Sequence, residues 1–124
     1  MCSIFAIIGT QAVADYRGIA VRQSALLQHR GPDSCGLAQL GDCIIAHNRI
    51  AVVDAFSGGQ PIWHRDGSAA VVANAEIYNH ADLRAAFGSY PFQTRSDCEV
   101  ILPIVQEGGN ASLNRLRIST TACG

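Results

Sequence analysis

Met1-Cys2-Ser3-Ile4-Phe5-Ala6-Ile7-Ile8-Gly9 places a cysteine directly behind the initiator methionine and an apolar run behind the cysteine. A small second residue lets the methionine be clipped, which makes Cys2 the new N-terminus. That residue then carries a thiol and a free α-amine on adjacent carbons. An α-amine titrates near neutrality, at about 7.7–8.0, and can take the proton of a neighbouring thiol. Residues 3–8 are apolar and partly β-branched or aromatic, so they read as a buried strand ending at Gly9. Cys2 then stands at the mouth of a sheet. The plainer reading is that Cys2 only opens the strand, since cysteine packs as a small hydrophobe.

The 124 residues fit one domain with a core of ordinary size. Hydrophobic residues make up 48% and charged residues 15%, a globular composition. The net charge of −1 argues against a nucleic-acid or anionic-membrane surface. Cys2, Cys35, Cys43, Cys98 and Cys123 show neither CxxC spacing nor a zinc-like His/Cys cluster, so no metal is expected. No secretory signal stands out and no run approaches 18 apolar residues. The expectation is a cytoplasmic protein with reduced thiols and no membrane span.

Outward from the first strand, residues 16–29 interleave Ile19, Val21, Leu26 and Leu27 with Arg17, Arg22 and Gln23, which predicts an amphipathic helix. His29-Arg30-Gly31-Pro32-Asp33-Ser34 ends it in a turn. Strands are expected over 35–40 and 43–53, joined by Gly41-Asp42 as a hairpin. Further strands are expected at 62–64 and 69–73, and a short helix over 80–87 with Asn79 as its cap. Arg49 in the 43–53 strand faces solvent or recognises a carboxylate through its planar guanidinium. Asn74 ends a strand as a turn former or presents its amide as an oxyanion donor. Ser96 and Glu99 have capping-box spacing ahead of an apolar helix. Pro103 is expected to kink or shorten that helix, because it removes one backbone bond. Residues 118–124 show no sign of a finishing strand.

Several stretches together resemble one family. Cys2-Ser3-Ile4-Phe5, the His29–Ser34 turn, Ala46-His47-Asn48-Arg49-Ile50 through Asp54, and Gly59-Gln60-Pro61 are similar to glutamine-dependent asparagine synthetases of the bacterial B type. So are Asn74-Ala75-Glu76-Ile77-Tyr78-Asn79 and Ser96-Asp97-Cys98-Glu99-Val100-Ile101-Leu102. Six ordered motifs are far more specific than any one alone. The resemblance implies an α+β class II glutamine amidotransferase domain of the N-terminal-nucleophile fold, a four-layer α/β/β/α sandwich. It implies Cys2 as nucleophile with its own α-amine as base, and Asn74 with the N–H of Ala75 as the oxyanion site. Arg49 would take the α-carboxylate of L-glutamine, Asp97 with Glu76 its α-ammonium, and the backbone of Arg49, Ile50, Ala51, Val52 and Val53 would line it. No cofactor is implied for this domain. ATP and Mg belong to a synthetase domain or subunit that these residues do not contain.

The chain departs from the family at Ala75, where the family has glycine, and at Ala6 and Pro103. Residues 110–124 do not match it either, so the expectation is a partial domain over 2–109, incomplete at the C-terminus. Two readings stand. One is the glutaminase part of a synthetase. The other is a truncated, catalytically inactive fragment that binds glutamine or a partner chain. A thiol redox or metal protein has no motif spacing behind it.

Overall fold

Ser3–Ile8 forms the first strand (β1), as its apolar run predicts, in a computed structural model that describes residues 2–9, 13–50 and 59–118. The hairpin follows as β2 (Ser34–Leu40) and β3 (Cys43–Arg49). β1 and β2 both pair antiparallel with β3, giving a three-stranded sheet of order β1-β3-β2. The distal part of the expected 43–53 strand, residues 51–53, lies outside the described residues.

One helix (α1, Arg17–Leu26) covers one face of this sheet. Its packing differs from the expectation. Ile19, Val21 and Leu26 are 38%, 54% and 68% exposed, whereas Ala20 and Ser24 are buried. Residues four apart share a helix face, and this small pair lets α1 settle closely onto Ile44, with Phe5, Ile7 and Leu37 around it. Close approach was chosen over a wide apolar stripe.

A buried polar network joins the same three elements. Asn48 of β3 donates through Nδ2 to the Ser24 carbonyl at 2.7 Å and to Ser3 Oγ at 3.2 Å. Its Oδ1 accepts from Ser24 Oγ at 3.2 Å. Buried polar groups of this kind are tolerable only when paired, and here the pairing fixes β1 and β3 just beside Cys2 and Arg49.

The rest of the chain builds two further clusters. A two-stranded ribbon of β4 (Ile62–Trp63) and β5 (Ala70–Val71) is shorter than the expected strands. Ile62 packs with Cys98 and Leu102. Ile77, Leu83, Val100 and Ile104 form the other cluster, between α2 (His80–Ala86) and α3 (Ile101–Gly108). Asn79 precedes α2 but makes no capping bond. Its side chain instead accepts from Arg117 N at 2.9 Å and donates to the Arg115 carbonyl at 3.0 Å. Those bonds bring residues 115–118 alongside, and Ile118 forms one isolated antiparallel bridge with Ile77.

The α-helix around Pro103 is shorter than the capping-box spacing alone suggests, as expected from the proline. Residues Asp97–Val100 form a 3-10 turn and the α-helix begins at Ile101. Pro103 thus falls in its first turn, where backbone N–H groups have no intrahelical acceptor. The helical and strand elements together are of the α+β class. Among the described residues no helix is long and apolar enough to cross a membrane.

Candidate active site

Strand alternation decides which side chains of β3 reach the cavity. Ile44 and Asn48 turn toward α1, so His47 and Arg49 turn to the opposite face. The β1–β3 register pairs Ser3 with Asn48, which brings Cys2, one residue before, to the end of β3 where Arg49 stands. Gly31 makes this end compact, since a Cβ there would overlap the Asn48 carbonyl oxygen. The turn after it closes with Asp33 N donating to the Arg49 carbonyl at 3.0 Å.

These ends open into a cavity of about 700 Å³, within the ordinary range for a small-molecule site. Cys2, Arg49, Ile50, Asn74, Ala75, Glu76 and Asp97 all line it. Ala51, Val52 and Val53, the other expected lining residues, lie outside the described residues. Arg49 and Arg95 contribute positive charge and Glu76 and Asp97 negative charge, an arrangement that suits a zwitterion better than a simple ion.

The irregular segment 72–76 leads from β5 into the cavity. Asn74 donates its Nδ2 to the Cys2 carbonyl oxygen at 3.2 Å. Asp97 accepts from the Ile77 N–H at 2.7 Å, so its carboxylate both faces the cavity and anchors the segment.

Ser96 and Glu99 divide the work expected of a capping box. Ser96 Oγ accepts from Cys98 N, but Glu99 does not reach back to Ser96. Its buried carboxylate accepts from the backbone N–H of Gln93 and Thr94 and from Thr94 Oγ1, and lies 3.5 Å from the Arg84 guanidinium. Glu99 thereby fixes the approach to Arg95-Ser96-Asp97.

Motif reading gave no role to three residues that line the cavity. His47 is 1% exposed, and neither ring nitrogen has a hydrogen-bond partner among the described residues. Burial lowers its pKa from 6.5; the Ala73 backbone opposes the shift without closing a bond of ordinary geometry, and the Arg49 charge adds to it. The two-residue spacing from Arg49 was the clue that placed His47 on this face. Cys98 is buried, and burial, reinforced by Asp97, pushes its thiol up to about 12. It remains a neutral S–H group. Gln60 also lines the cavity, and nothing local in Gly59-Gln60-Pro61 distinguishes it from a loop residue. Among the described residues no group of His, Cys, Asp or Glu is arranged to hold a metal ion.

An α+β domain with a thiol just ahead of its first strand, facing a cavity of mixed charge, has the parts of an amide-cleaving thiol site. The chain belongs to the glutamine amidotransferase domain family, whose model matches residues 1–118. It is 45% identical over 120 residues to the glutamine-hydrolysing asparagine synthetase B of Escherichia coli. It is 43% identical over 117 residues to a glutamine-hydrolysing asparagine synthetase of Lotus japonicus, and 44% identical over 117 residues to one of Oryza sativa subsp. japonica. Each match covers 94% of this chain, but 22% of the bacterial protein and 20% of each plant protein. The chain thus spans about a fifth of the length of these curated relatives.

Proposed function

We propose that this chain is the glutaminase part of a glutamine-dependent asparagine synthetase, of the N-terminal-nucleophile fold and acting in the cytoplasm. The observation that carries the proposal is the convergence of Cys2, Arg49, Asn74, Ala75, Glu76 and Asp97 on one cavity in a chain of this family.

With Met1 removed, the α-amine of Cys2 accepts the thiol proton, and the thiolate attacks the side-chain amide carbon of L-glutamine. Arg49 pairs with the substrate α-carboxylate, while Asp97 and Glu76 receive its α-ammonium. These contacts, with the backbone of Arg49 and Ile50, orient the amide. The negative oxygen that develops on attack accepts from Asn74 Nδ2 and the Ala75 N–H. Collapse of the tetrahedral species breaks the C–N bond, and the Cys2 ammonium returns its proton to the leaving nitrogen. Ammonia departs first. Water then cleaves the γ-glutamyl thioester, releasing glutamate and regenerating Cys2.

No cofactor takes part in these steps. ATP and Mg are required only by a synthetase domain or subunit outside these residues, where the ammonia amidates activated aspartate. Neither nucleic acid nor membrane is a partner. The test is ammonia release from glutamine by the protein beside its Cys2→Ala variant. Equal release from both would overturn the proposal. An inactive glutamine-binding fragment would instead show glutamine-dependent thermal stabilisation without ammonia.

A further inference from the structure

The geometry points to Gln60 as the positioning residue of the oxyanion site, clamping the backbone immediately ahead of Asn74 and Ala75. This rests on the glutaminase reading above and names a residue which that reading does not use.

Gln60 and Ala73 exchange two hydrogen bonds. Gln60 Nε2 donates to the Ala73 carbonyl at 3.1 Å, and Gln60 Oε1 accepts from the Ala73 N–H at 2.6 Å. One side-chain amide therefore does for Ala73 what a neighbouring strand would do for both of its backbone groups. The position matters because regular pairing stops there. β5 ends at Val71, and among the described residues the next backbone pairing in this direction is the Ile77–Ile118 bridge.

Between those points, side chains hold the chain in place of a ladder. Gln60 fixes residue 73, Cys98 Sγ donates to the Ala75 carbonyl at 3.6 Å, and Asp97 accepts from Ile77 N. The Asn74–Ala75 peptide, whose N–H is the proposed oxyanion donor, lies between the first two. Cys98 serves at any working pH because its thiol stays protonated.

Gln60 is itself seated on the sheet. A Cβ at Gly36 of β2 would overlap the Gln60 carbonyl oxygen, so the absent side chain at 36 allows this close approach. Position is thereby transmitted from β2 through Gln60 to Ala73, and from there to the two donors. An oxyanion site works only if its donors already point at the oxygen that will form, and a misplacement of about 1 Å costs on the order of 10²-fold in rate.

The test compares the wild-type protein with Gln60→Ala and Gln60→Glu. The glutamate keeps the length and the acceptor for Ala73 N–H but loses the donor. Both variants are expected to lose about ten- to hundred-fold in kcat for glutamine with KM changed less than about twofold. Alkylation of Cys2 by iodoacetamide is expected to keep its wild-type rate, because displacement of iodide develops no oxyanion. Hydrogen exchange at the Ala73 amide should accelerate in Gln60→Ala.

An unchanged kcat, unchanged Ala73 protection, or parallel losses of alkylation and turnover would each overturn the clamp. Should Gln60→Ala show no cooperative melting, Gln60→Glu is judged on kcat, KM and alkylation. A wild type without Cys2-dependent turnover overturns the glutaminase reading instead, and Ala73 exchange then decides the clamp alone.

Discussion

Asn74 reaches across 72 residues of chain to donate its side-chain amide to the Cys2 carbonyl oxygen at 3.2 Å. This bond ties the proposed nucleophile to the proposed oxyanion donor before any substrate arrives. In the proposed turnover the same Nδ2 group would serve the developing negative oxygen, and its direction toward Cys2 is already set.

Asn74→Ala is therefore expected to lower kcat by about 10²–10³-fold, the usual loss of one oxyanion donor. KM should move far less, because the contact strengthens only in the transition state. Steady-state kinetics with glutamine decides it. A rise in KM at constant kcat would reassign Asn74 to ground-state binding.

Arg49 stands at the β3 end of the cavity and is opposite in charge to Asp97 and Glu76. Arg49→Lys keeps the charge but loses the planar fork that matches a carboxylate. KM for glutamine should rise about ten- to hundred-fold, as expected for losing one charge-assisted bond of about 1.5–3 kcal/mol. Replacing glutamine by an analogue lacking the α-carboxylate should erase the difference between wild type and variant. A persistent difference would contradict the pairing.

Asn48 lies one residue before Arg49 and holds Ser3, one residue after Cys2, together with Ser24. Asn48→Ala strips partners from a buried network and should cost about 2–3 kcal/mol of stability. Asn48→Asp should cost at least as much, since it buries a carboxylate and sets an oxygen, in place of a donor, against the Ser24 carbonyl. Urea unfolding measures both, and losses under about 0.5 kcal/mol, the scale of surface substitutions, would contradict the role.

His47 makes stability sensitive to acid. Its folded pKa is lowered from 6.5, so the unfolded chain binds the proton more readily than the folded one. The stabilisation is complete above about 6.5, the ordinary histidine value, and is lost as pH falls from there through the folded pKa. His47→Gln should remove this part of the acid sensitivity. Melting temperatures taken on either side of that value should diverge less in the variant. Identical pH profiles would place the sensitivity elsewhere.

The parts legible in the sequence were those encoded by local pattern. The apolar run after Cys2, the Gly41-Asp42 hairpin and the helix after Asn79 all appear. The expected site residues that are described, Cys2, Arg49, Ile50, Asn74, Ala75, Glu76 and Asp97, line one cavity. What escaped notice depends on partners distant in sequence. Glu99 has capping-box spacing, but the chain folding back through Gln93 and Thr94 offers its carboxylate three better donors. Asn79 is drawn off its helix by Arg115 and Arg117. α1 buries Ala20 and Ser24 because the sheet beneath it demands small residues, a requirement invisible in the helix alone. Gln60 looks like any loop residue until Ala73 is set beside it.

The central claim is that Cys2, with its own free α-amine, forms a γ-glutamyl thioester. Glutamine supplied together with hydroxylamine tests this most directly, because hydroxylamine intercepts the thioester as γ-glutamyl hydroxamate. Protein shown by mass spectrometry to lack Met1 is predicted to form hydroxamate at the expense of glutamate. Cys2→Ala and protein retaining Met1 are predicted to form none. Equal hydroxamate from wild type and Cys2→Ala would contradict the account.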